Sequence, residues 1–199
     1  MCRSTKFESI SMLKIMGTLV ANLVIAAPSA ALATSYFPST EFRDLDSWNK
    51  HEPAAWSQAL SDFHEPSLSK GDNNLFAIRV TVEPAFSYST VVRVEEQRTG
   101  SIAALSKQLP PRVTSPLITM PISVSGSQLN ELKAALKEEG FWSLTNRQAA
   151  ITSDGVDLLL EVYDRGKYHV VYSNGARQHS VLRLTRMLLD LAHLHLPGE

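Results

Sequence analysis

Residues 156–173 read VDLLLEVYDRGKYHVVYS, two β-rich apolar runs joined at Arg165-Gly166. A two-residue connection ending in glycine between such runs predicts a hairpin. The turn sets the register, with Tyr163 opposite Tyr168 and Val162 opposite His169. Paired residues point to one side of a sheet. One face then carries Leu158, Leu160, Val162, His169, Val171 and Ser173, a natural seat for packed helices. The other carries Leu159, Glu161, Tyr163, Tyr168, Val170 and Tyr172, three tyrosines around one carboxylate.

Upstream, Phe76, Ile78, Val80 and Val82 alternate with Ala77, Arg79, Thr81 and Glu83 until Pro84, the period of a half-buried strand. Thr90 to Arg98 repeats the pattern, with Val92 and Val94 on one face and Val91, Arg93 and Glu95 on the other. Arg79, Arg93 and Glu95 read as a cross-strand charge pattern on a solvated face. Residues 100–116, marked by Pro110-Pro111 and Pro116, read as a loop. Leu117 to Val124 reads as a strand that Pro121 confines to an edge or makes irregular.

Three helices are expected. Pro53 opens a short one whose Trp56, Ala59, Leu60 and Phe63 share a stripe. Ser125 and Gln128 form a capping box ahead of Leu129, Leu132 and Leu136. Gly140 then suits the left-handed position past that helix, and Phe141 the apolar position packed on Leu136. A last helix runs from Gln178 to about His195 before Pro197-Gly198. The expectation is an α+β fold: an antiparallel sheet of about four or five strands with both long helices on one face. The Trp56 helix is expected at an edge or end. Residues 34–74 form an N-terminal segment and 75–199 the α+β body, together one globular domain.

The N-terminus reads as an export signal. Arg3, Lys6 and Lys14 precede an apolar run from Ile15 to Ala27, and Ala31-Leu32-Ala33 offers small residues for cleavage after Ala33. The run is shorter than the roughly 20 residues of a membrane span. Met12 opens a shorter version of the same signal. Cleavage removes Cys2, the single cysteine, and leaves a formal charge of −3. A chain without cysteine has no disulfide, thiol nucleophile or cysteine-based metal site, and the weak charge gives no drive toward nucleic acid. The expected location is the periplasm or the exterior, with membrane contact only through the cleaved signal.

Six histidines raise the question of metal. His193 and His195 are two apart on a helix and diverge, His51 and His64 flank the first helix on opposite sides, and His169 lies in a strand. No metal site and no cofactor motif is predicted. Glu161 alone lacks a bland local account, because a carboxylate in mid-strand on an apolar run needs a partner once buried.

The segment 125–195 resembles a loosely defined group of small exported proteobacterial proteins. The resemblance rests on Gly140-Phe141-Trp142-Ser143-Leu144, Asp154-Gly155, Glu161, the glycine turn, Tyr168-His169 and the closing helix. The chain departs from the pattern after Tyr172, where Ser-Asn-Gly-Ala stands in place of Ser-Pro. The resemblance implies positions to examine and no mechanism.

The expected function is a non-catalytic module of the bacterial envelope that binds a small ligand or another envelope protein. Its recognition surface would comprise Glu161, Tyr163, Tyr168, Tyr172 and His169, since tyrosines suit recognition. The alternatives are a periplasmic hydrolase using Glu161 and His169, and a structural accessory subunit.

Overall fold

The strands Val156–Asp164 (β6) and Lys167–Asn174 (β7) pair in the expected register, Tyr163 on Tyr168 and Val162 on His169. Arg165 (φ 48°) and Gly166 (φ 94°) both adopt the left-handed region, the backbone of the turn that matches strand twist. The computed structural model describes residues 36–38, 40–41, 52–71, 74–111, 116–149, 155–174 and 179–197. The predicted export signal at 1–33, His51, Asp154 and Gln178 lie outside the described residues.

Among the described residues five further strands join this hairpin: Asn74–Pro84 (β1), Ser89–Gln97 (β2), Ile102–Leu109 (β3), Ile118–Pro121 (β4) and Arg147–Ala149 (β5). The sheet order is β4-β3-β2-β1-β6-β7-β5. Every neighbouring pair is antiparallel except β5 with β7. The α+β class is therefore as expected, with a wider sheet.

The extra width comes from β3, which falls in the segment expected as a loop, and from the short β5, which corresponds to no expected strand. The run Ile102-Ala-Ala-Leu-Ser-Lys-Gln-Leu109 has little β-branched content, so propensity misses it. The β2–β3 connection builds it instead. Gly100, at φ 81°, donates to the Gln97 carbonyl, and the Gln97 N–H donates to Ser101, a three-residue hairpin loop with its glycine in the left-handed region.

Helices Gly126–Glu138 (α2) and His179–Leu191 (α3) cover one face, as predicted. Ile78, Val80, Leu158, Leu160, Val162 and Val171 meet Leu132, Leu136, Leu184 and Leu188 in one buried cluster. The capping box at Ser125 and Gln128 is present. Gly140 (φ 61°) ends α2, and Phe141 is buried in the same cluster as Leu136. α3 ends at Leu191, short of His195. His193 (φ 55°) sends its N–H to Asp190, and Leu194 sends its own to Leu189, a left-handed helix stop built without glycine. The turn places Leu196 in the core.

Helix Glu52–Asp62 (α1) does not sit at an edge or end. It lies on the tyrosine face, where Trp56 and Leu60 pack with Leu159, Val170 and Tyr172. The Trp56 and Tyr172 rings meet edge to face at 5.8 Å. A large Trp/Leu/Phe stripe needs a broad apolar floor, and that half of the sheet supplies one. Among the described residues no helix is long and apolar enough to cross a membrane.

Candidate functional site

α1 stops by the same device as α3. His64 (φ 51°) donates to Ser61, and Glu65 N–H reaches back to Leu60. The chain then crosses the sheet at 63–68 as irregular backbone. Such a segment brings carbonyls into the interior without partners in a ladder. Two strand cations satisfy them. Lys107 Nζ donates to Phe63 O at 2.8 Å and His64 O at 3.1 Å, and Arg79 Nη1 donates to Pro66 O at 2.7 Å.

The same cations meet carboxylates. Arg79 Nε and Nη2 donate to the two oxygens of Glu161, each at 2.8 Å, a bidentate pair. Arg79 Nη1 also reaches Glu65 at 3.2 Å. Arg93 lies 2.8 Å and Lys107 2.7 Å from the Glu65 oxygens, and Arg93 pairs in turn with Glu95. Tyr168 donates its hydroxyl to Glu161 at 2.8 Å. Three cations thus face three carboxylates. Arg79 and Glu161 both have 0% exposure.

The charged face is therefore buried, and the expectation of a solvated Arg79–Arg93–Glu95 pattern is overturned. Burial works against the Arg79 charge, but Glu161 and Glu65 outweigh it and raise its pKa above the ordinary value. Burial, then Glu161, holds the Tyr168 phenol well above its usual range. Both groups are locked as donors. With its oxygens engaged and no surface exposed, Glu161 has no route to a substrate.

The structure also separates the predicted recognition residues. Tyr172 is buried beneath Trp56 and half-buried Tyr168 packs on the same cluster, while Tyr163 is half-buried farther along β6. His169 lies on the opposite face from Glu161, so the two do not form a catalytic pair. Its Nε2 stands 2.9 Å from Leu144 O, and Nδ1 is 3.3 Å from Glu41. A carbonyl only accepts, so Nε2 bears a proton. The ring also meets Phe141 edge to face. These contacts tie Glu41 and 144–146 to the outer side of β7, which Asn146 reinforces through Glu41 and Val170 O.

Neither His64 nor His193 is placed as a ligand; both are helix terminators. Among the described residues no group of three metal-binding side chains occurs.

The helix face has an opening that the sequence reading left unused. Along one row of the sheet, Glu96, Phe76, Asp164 and Lys167 stand side by side. The last turns of α2 present Lys133, Leu136 and Lys137 above them, at spacings that share a helix face. The Gly140 turn brings Trp142 round as a wall. The cleft between has a volume of about 450 Å³, within the range of ~300–1,000 Å³ for small-molecule sites. A smaller one of about 200 Å³ lies between α2 and α3.

Each aromatic ring of the larger cleft carries an ammonium. Lys133 Nζ is 4.9 Å from the Phe76 centroid and Lys167 Nζ 4.3 Å from that of Trp142. Glu96 neutralises Lys133 at 2.6 Å. Among the described residues neither Lys137 nor Lys167 has a carboxylate partner. Gly140 and Phe141 follow from helix termination and packing, as expected; Trp142 does more, since it also lines this opening. Spacing at 133, 136 and 137 was the only sequence signal, and it does not tell a cleft from a solvated helix end.

No protein-family model matches the chain, and no curated protein matches it.

Proposed function

We propose that this chain is an exported, non-catalytic binding module of the bacterial envelope, with the cleft under Trp142 as its ligand site. One observation carries the reading: apolar side chains, the Trp142 ring and the Lys137 ammonium, which among the described residues has no carboxylate partner, line an open cleft, whereas the charged cluster around Glu161 is closed. Convergence of a few polar groups on a largely apolar concavity is the usual make-up of a small-molecule site. The periplasmic or extracellular setting rests on the signal-like residues 1–33, from Arg3 through Ala33.

The hydrolase alternative loses its chemical basis in the geometry. A general base must reach the proton it takes, and Glu161 is enclosed while His169 faces the other way.

Mass spectrometry of small molecules retained from an envelope extract tests the reading, with Trp142→Ala as the comparison. Species held by the wild type and lost by the variant support it. Identical retention by both, or substrate turnover abolished by Glu161→Gln, overturns it.

A further inference from the structure

We propose that the fold carries a pH-sensitive latch: protonated His169 holds Glu41 against the outer edge of β7, and loss of that proton releases it.

The sheet leaves an edge for such a latch to close. β5 covers β7 only at 172–174, so residues 168–170 have no strand on their outer side among the described residues. An uncovered edge presents unpaired backbone groups and is commonly blocked by other parts of the chain. Phe37 and Glu41 grip β7 here from opposite sides. Phe37 is buried on the α1 face with Leu159, Val170 and Tyr172, and Glu41 meets His169 on the helix face. The Phe37 end is held by apolar packing, helped by hydrogen bonds from Ser67 and Ser69 to Tyr36 O. None of these contacts contains a group that titrates. The Glu41 end depends on a proton.

His169 stands between two acceptors. Nε2 donates to Leu144 O at 2.9 Å, and Nδ1 is 3.3 Å from Glu41 Oε2. Asn146 Nδ2 donates to that same oxygen at 2.8 Å. A neutral imidazole has one N–H, so with Nε2 on the carbonyl it would turn the Nδ1 lone pair toward a carboxylate. Only the imidazolium satisfies both partners. A proton shared between the two side chains rests on the imidazole, the stronger base.

The surroundings add little charge to this pair. On β7 itself Lys167 opposes the imidazolium from two residues back, but its ammonium rests on the Trp142 ring. From β6 come Val162, opposite His169, and Asp164, opposite Lys167. The turn after α2 brings the Phe141 and Trp142 rings, and 144–146 bring a carbonyl and an amide. Among the described residues Glu41 is the one carboxylate in contact with the ring. The contact is therefore complete while the ring holds both protons and is lost as rising pH removes the one on Nδ1. Imidazoles as a class change charge between about pH 5 and 8.

Amide hydrogen exchange of the full chain at pH 5.5 and pH 8 tests the latch, expressed as protection factors so that the intrinsic effect of pH is removed. The readout is the Glu41 amide, which donates to Pro38 O, with Val80 in β1 as the reference. Protection at Glu41 is expected to fall by about two- to fivefold at the higher pH, the range for a partly solvated ion pair, with Val80 unchanged. Nitrogen-15 spectra of the imidazole should show both nitrogens of His169 protonated at pH 5.5 and Nε2 alone at pH 8. Glu41→Gln offers a neutral Nδ1 an amide N–H, so protection at position 41 should become independent of pH.

Equal protection of the wild type at both pH values overturns the latch, as does the same fall in Glu41→Gln. A bare Nδ1 at pH 5.5 overturns it as well. A matching loss at Val80 would assign the pH effect to the whole fold and overturn the latch too.

Discussion

Arg79 and Glu161 stand opposite each other in the β1–β6 register and join by two 2.8 Å hydrogen bonds, with neither side chain exposed. The pair sits beneath the 63–68 crossing and supplies a donor to Pro66 O. Breaking one partner of a buried pair strands a charge and costs about 3–5 kcal/mol, whereas replacing both with apolar groups is often tolerated. Arg79→Met and Glu161→Leu are each expected to lose that much by urea denaturation. The double variant should recover most of it, short of the Pro66 carbonyl left without its donor. Additive losses would show that the two side chains act independently.

Lys107 joins the sheet to the end of α1 through Phe63 O and His64 O. Lys107→Met leaves both carbonyls without this donor and removes a cation from beside Glu65, at a cost of about 1–3 kcal/mol. Hydrogen exchange should then rise across α1 and 63–68 before it rises in β6. Uniform acceleration over the whole sheet would contradict this anchoring role.

Arg165 occupies a left-handed position with a full side chain, at a penalty of about 1–2 kcal/mol, where asparagine is better tolerated. Arg165→Asn should raise Tm without moving the β6–β7 register. A fall in Tm would mean that the long arginine side chain stabilises the turn more than its backbone strains it.

Glu83 and Asp157 face each other across β1 and β6. Burial, then Asp157 and Asp62, raises the Glu83 pKa; burial raises that of Asp157 against the pull of Tyr172 and Asn174. A raised carboxyl adds stability that is complete below its ordinary pKa and lost as pH rises through the raised value. At neutral pH the Glu83 carboxylate therefore destabilises the fold. Glu83→Gln should raise Tm at pH 7, with the gain shrinking as pH falls toward the ordinary value of 4.5. A gain that grows on acidification would reverse the assigned sign.

On the proposed export reading, N-terminal sequencing of the mature protein should begin at Thr34, the residue after Ala33. Retention of Cys2 in the product would remove the export reading.

Much of the fold was legible where a local pattern is strict. The Arg165-Gly166 turn, the Ser125–Gln128 capping box and the Gly140 stop each depend on a few adjacent residues, and each stands as read. β3 escaped because its pairing is fixed by neighbouring strands and by the Gly100 loop, with little help from its own side chains. The stops at His64 and His193 escaped because histidine gives no warning of a left-handed backbone. The cleft escaped because Phe76, Lys133, Trp142 and Asp164 are spread over four segments.

By itself the sequence determined the alternation in β1, β6 and β7, and with it which side chains share a face. It thereby placed Glu161 beside three tyrosines and apart from the helix-facing row. Only the tertiary structure decided what covers that second face. Alternation sorts residues into two sides but does not say which side meets water. That depends on α1 and its crossing segment, whose buried carbonyls required the donors of Arg79 and Lys107. The same long-range packing turned a predicted surface into an interior and left the opening to the other face, under Trp142.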